Sequence, residues 1–116
     1  MMPFHISKKL FFLAALALSA CSTSYQPSRA EKANQVSNIK TQLAMEYMRG
    51  QDYRQATASI EDALKTDSKN ELAWLVRAEI YQYLKVNDKA QESFLQALSL
   101  QPDNAEINNN YGWFLC

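Results

Sequence analysis

The side chains best able to do chemistry in this 116-residue chain are two cysteines and one histidine. Cys21 follows an apolar run, Leu10 to Leu18, and two small residues, Ser19 and Ala20. A thiol in that setting is a nucleophile delivered to a membrane surface, beside residues small enough to fit a peptidase. Cys116 is the last residue and has no second free cysteine to pair with once Cys21 is modified, so a half-buried helix position is expected for it. His5 stands in the basic start of the chain, far from either thiol. No histidine–cysteine cluster has zinc spacing, and no glycine-rich loop could cradle a phosphate. Glu61, Asp62 and Asp67 fall at positions expected to be solvated. An acid, base or nucleophile grouped for catalysis is missing. The expectation is a protein that is not an enzyme and takes no metal, cofactor or small-molecule substrate.

The elements around Cys21 explain its chemistry. His5, Lys8 and Lys9 make a polar, basic start, and Leu10–Leu18 an apolar core of nine residues. That core is shorter than the roughly 20 residues needed to span a bilayer, but it suits a signal peptide. Leu18-Ser19-Ala20-Cys21 resembles the bacterial lipobox. The resemblance implies a signal peptide over 1–20, diacylglycerol and an acyl chain such as palmitate on Cys21, and attachment by lipid rather than by a transmembrane helix. Ser22, where an aspartate would favour retention, resembles the pattern sorted to the outer membrane, with the remainder facing the periplasm. Without Lys8 and Lys9 the chain has ten basic and twelve acidic residues, so nothing offers a basic face to nucleic acid. Residues 21–33 are polar, with Pro27 and several Ser and Thr, and read as a flexible tether ahead of a domain over 34–116.

Beyond the tether the chain repeats itself every 34 residues. Ala44, Ala78 and Gly112 share one column, Tyr47 and Tyr81 another, and Ala56/Ala90, Ile60/Phe94 and Ala63/Ala97 three more. Good helix formers dominate, with only two glycines and three prolines, so an all-α fold is expected. Ile39, Leu43, Tyr47 and Met48 form one helical stripe and Ala56, Ile60, Ala63 and Leu64 a second. The next unit repeats the plan with Trp74, Ala78, Tyr81 and Leu84, then Ala90, Phe94, Ala97 and Leu98. Gly50-Gln51-Asp52 marks a turn with Asp52 placed as a cap, while Asp67–Asn70 and Gln101–Asn104 mark breaks between units.

These columns resemble the tetratricopeptide repeat. Trp74, Ala78, Tyr81, Ala90, Phe94, Ala97 and Pro102 match its signature, and Arg77 departs from it where leucine is usual. The resemblance implies helical hairpins stacked as a short right-handed solenoid of about two and a half repeats, over 37–70, 71–104 and a partial 105–116. A third unit that opens at Ala105 and ends inside its first helix leads to the expectation that these residues begin a longer repeat protein; the alternative is a short form whose last helix is its own cap. The family's first helices line a concave groove for protein partners. Carried over by column, that groove comprises Asn38, Thr41, Met45, Met48 and Arg49, then Leu72, Leu75, Glu79, Gln82 and Tyr83, and last Asn109 and Trp113. Such a surface suits an amphipathic or extended peptide, although several of these residues could equally cover neighbouring helices. Thr41 and Met45 stand where some members carry lysine or asparagine, so a carboxylate clamp is not expected.

Taken together, the lipobox, the repeats that follow it and the run Asn108-Asn109-Asn110-Tyr111-Gly112-Trp113-Phe114-Leu115 resemble the PilW/PilF family of type IV pilus biogenesis and stability lipoproteins. That resemblance implies a pilotin-like scaffold that binds the secretin subunit, or another pilus assembly protein, and aids its assembly at the outer membrane. Scaffolds for outer-membrane protein insertion or cell-wall turnover, and a lipid-bearing subunit of a periplasmic enzyme complex, share the same build.

Overall fold

A computed structural model describes residues 24–116. The signal peptide and Cys21 expected from the sequence lie outside the described residues. Within them the chain forms α1 (Arg29–Arg49), α2 (Tyr53–Thr66), α3 (Glu71–Tyr83), α4 (Asn87–Leu100) and α5 (Ala105–Leu115), with no strand. The helices run as hairpins, α1 with α2 and α3 with α4, and α5 opens a third unit packed on α4.

Four of the five described helices begin where a side chain satisfies backbone N–H groups that have no intrahelical partner, while α4 follows Val86 without such a cap. The Ser28 hydroxyl accepts from the Glu31 N–H at 3.2 Å, and the Glu31 carboxylate accepts from the Ser28 N–H at 2.9 Å. This reciprocal cap starts α1 at Arg29, inside the stretch expected to be tether. The sequence signal was Ser28-Arg29-Ala30-Glu31, a capping box that outweighs the polar composition of 29–33. Asp52 caps α2 through the Gln55 N–H at 3.1 Å, as its position predicted. Asn70 and Asn104, one period apart, cap α3 and α5 through the N–H groups of Ala73 and Ile107. Gln51 and Lys85, also one period apart, both take φ of 61°, so the same left-handed residue reverses the chain inside each hairpin.

Two cores follow from the small-residue columns. Ala44, Ala56, Ile60, Ala63 and Leu64 from the first hairpin close around Ala73, Val76 and Ile80 of α3. Leu75 and Ala78, on the opposite side of the same helix, close with Phe94, Ala97 and Ile107. Alanines at 44, 56, 63, 78, 90 and 97 are wholly buried, which lets the helix backbones approach. Phe94 anchors α5, with its ring centroid 5.4 Å from those of both Tyr111 and Phe114.

Several expectations fail, each for a reason of position. Ile39 and Leu43, read as a core stripe of α1, are 65% and 46% exposed, because among the described residues no repeat packs on that side of α1. Ser37, Thr41 and Ala44 are the residues of α1 that are buried instead. Leu84 lies at the end of α3 and is exposed. Arg77, in the leucine column, is buried: its Nε donates to Glu61 Oε1 at 2.6 Å and its Nη1 to Ser93 Oγ at 2.7 Å. Its guanidinium also lies 4.9 Å from the Tyr81 ring centroid and 5.5 Å from that of Trp74. Glu61 therefore serves an internal network rather than a solvated face, and it also accepts from the Tyr81 hydroxyl at 3.0 Å. Burial, then this bond to Glu61, raises the Tyr81 phenol above its ordinary range.

Candidate protein-binding groove

The residues carried over as groove-lining come from α1, α3 and α5, and the structure divides them. Thr41 is fully buried, with its hydroxyl donating to the Ser37 carbonyl at 2.8 Å, and presents nothing to a partner. Leu75 is buried in the second core, where α5 covers it. Met45 and Met48 are half-buried against the first core and expose only part of their side chains. Asn38 is half-buried as well, its Oδ1 accepting from Asn70 Nδ2 at 2.9 Å. Column carry-over missed these because the family's groove columns also supply the contact between one first helix and the next.

The remaining residues are accessible. Arg49 is exposed and pairs with Glu46 one turn away. Leu72 and Gln82 are exposed on α3. Tyr83 is 61% exposed and stacks on Tyr53 of α2, with ring centroids 4.0 Å apart and planes at 11°. That contact leaves one ring face free and draws Tyr53, which the sequence did not single out, to the rim of the surface. Trp113 is 73% exposed and, with Asn108, Asn109, Gly112 and Cys116, lines a shallow depression on α5. Cys116 is exposed beyond the last helical turn, not half-buried within it. A Cβ added at Gly112 would meet no atom within 4 Å, whereas Ala44 and Ala78 in the same column are wholly covered.

Glu79 is held between α3 and α5. It accepts from Asn110 Nδ2 of α5 at 3.3 Å. Burial, and then the like charge of Glu106, holds its carboxyl above the ordinary carboxylate range. Among the described residues neither acid has a cation within 4.0 Å, so this stretch of surface carries uncompensated negative charge. The arrangement offers a peptide exposed aromatics on α3 and α5, partly exposed methionines on α1, and amide and carboxylate groups to orient it. Among the described residues no three His, Cys, Asp or Glu side chains are grouped to hold a metal.

Comparison with known proteins agrees with the repeat. The family model for the tetratricopeptide repeat matches residues 72–104. Type IV pilus assembly protein PilF of Pseudomonas aeruginosa is 30% identical over 109 residues, which are 91% of this chain and 43% of PilF. The crystal structure of PilW, described as a widely conserved type IV pilus biogenesis factor, superposes with a TM-score of 0.70 and 93% identity. The match covers 71% of this chain and 37% of the PilW chain. The chain thus spans less than half the length of either relative. With a 34-residue period, turns repeated in register and a repeat match over 72–104, the described residues fold as tetratricopeptide-repeat hairpins, and the chain is similar to PilF and PilW over less than half of their length.

Proposed function

We propose that the chain is a lipid-anchored, pilotin-like scaffold for type IV pilus biogenesis, held on the outer membrane through Cys21 with its repeats in the periplasm. Its work is protein binding, without catalysis, metal or cofactor. The relation to PilF and PilW is the observation that carries this reading, since both are named for the pilus. The exposed aromatics supply a physical basis for recognition. Tyr83 and Trp113 are large, partly free rings on otherwise packed helices, the kind of residue that dominates binding energy when a partner covers it. In this reading the partner is the secretin subunit, bound as an amphipathic or extended segment, and the lipid brings the pair to the outer membrane.

Complementation tests the proposal. In a strain lacking the pilus homologue, the full-length relative restores secretin multimers in outer-membrane fractions, and this chain does so only with Cys21 intact. Secretin multimers that form normally in the deletion strain sink the secretin reading. Multimers restored equally by Cys21→Ala sink the lipid anchor.

A further inference from the structure

The groove leaves the back of α1 unused, and that back is unusual. Val36, Ile39 and Leu43 recur at helical spacing on the side turned away from the first core, 43%, 65% and 46% exposed. Within the fold's own repeat these are docking columns. One period after Ile39 and Leu43, Ala73 and Arg77 are buried against the preceding repeat. A period later Ile107 is buried in the second core and Tyr111 packs on Phe94. A first repeat that ended in water would carry a polar outer face there.

Charge indicates what covers it. Arg29 and Lys32 lie on the same arc of α1, towards its N-terminus, and both are exposed. The neighbouring acid, Glu31, is turned into the helix cap, accepting from the Ser28 N–H and from the Tyr25 hydroxyl at 2.6 Å. The arc is therefore cationic at one end and apolar along its middle, in a chain whose residues after the leader are net acidic. Arg29 follows Cys21 by eight residues, a reach of at most about 28 Å.

We propose that this arc of α1 rests on the surface of an anionic bilayer, with Val36, Ile39 and Leu43 at the headgroup–acyl boundary and Arg29 and Lys32 among the lipid phosphates; the inference builds on lipid attachment at Cys21. Interfacial helices combine these two ingredients, apolar area and cations on one face. Contact along α1 fixes how the solenoid stands, with the first hairpin against the membrane and α5 directed away from it.

Collisional quenching tests this with the full chain expressed in a bacterium, extracted with its lipid and placed in vesicles of phosphatidylethanolamine and phosphatidylglycerol. A fluorophore is attached at Ile39→Cys or, as control, at Asp103→Cys, each in a Cys116→Ser background. Brominated lipid is expected to quench the label at 39 several-fold more than that at 103. Arg29→Glu with Lys32→Glu lowers that membrane contact about tenfold, and so does phosphatidylcholine in place of the anionic lipid. If the protein floats with the vesicles but the two labels are quenched alike, the bilayer contact is wrong and the anchor stands. A label at 39 shielded from aqueous iodide yet unquenched by lipid assigns the face to protein and equally overturns the inference. Protein that fails to float overturns both readings together.

Discussion

Arg77 offers the sharpest test of the packing argument, because it puts a charge in a column where the family carries leucine. Replacing it with alanine removes the bonds to Glu61 at 2.6 Å and to Ser93 at 2.7 Å and opens a void between α2, α3 and α4. Bonds of this charge-assisted kind are worth about 1.5–3 kcal/mol each. Two effects reduce the sum. The Glu61 side chain is 38% exposed and can rehydrate, and the Ser93 hydroxyl keeps its own bond to the Lys89 carbonyl at 2.7 Å. The net cost of Arg77→Ala is then about 3 kcal/mol. Arg77→Leu fills the void without needing a polar partner, while the Tyr81 hydroxyl still serves Glu61, so it should fall within about 1 kcal/mol of the parent. Urea unfolding followed by circular dichroism separates the two. With a slope of about 1 kcal/mol per molar, the alanine variant loses about 3 M in midpoint and the leucine variant less than about 1 M. If leucine proves as damaging as alanine, the ion pair is itself net stabilising and the reasoning fails. An alanine variant within about 1 kcal/mol of the parent would instead mean that the guanidinium is solvated in solution.

Three other predictions address the cap, the groove acid and the aromatic surface. Asn70 caps α3 and donates to Ser37 Oγ and Asn38 Oδ1 at 2.9 Å each, so Asn70→Ala should cost about 2–3 kcal/mol. Asn70→Asp keeps the cap but not the donors, and its thermal unfolding should fall between the two. Glu79 binds its proton more tightly folded than unfolded, so its contribution to stability falls as pH rises from the ordinary value of 4.5 through its raised folded value. Glu79→Gln keeps an acceptor for Asn110, removes that dependence and should raise the unfolding temperature at neutral pH; an unchanged pH profile would contradict the burial argument. Tyr83→Ala and Trp113→Ala should each shift stability by less than about 1 kcal/mol while weakening capture of a secretin segment at least tenfold. Loss of folding in either variant would mean that these rings are structural.

The 34-residue columns carried most of the fold, because small residues at 44, 56, 63, 78, 90 and 97 recur for a packing reason that pattern alone exposes. What the pattern could not carry is position within the stack. Ile39 has the same apolar character as Ile107, yet one is exposed and the other buried, since among the described residues only the second has a preceding repeat packed on it. Thr41 and Leu75 were misread as groove for a related reason: a column that faces a ligand in a single hairpin faces the neighbouring helix once hairpins stack. Arg77 was visible as a departure from the family, but its partners Glu61 and Ser93 lie 16 residues away on either side, beyond any local pattern. The start of α1 was legible in the Ser28–Glu31 capping box and was obscured by a stretch of polar composition.

The double membership of α3 has a consequence for how the molecule opens. Ala73, Val76 and Ile80 belong to one core, and Leu75 and Ala78 to the other. Neither hairpin can melt without stripping a face of this helix, so its amides should exchange with solvent only when both units open together. Helix α5, held along the side of Ile107, Tyr111 and Phe114 alone, should exchange first. Protection would then peak in the middle of the chain and decline towards α5, and a ligand gripping Trp113 would show itself as a late, local slowing at that end.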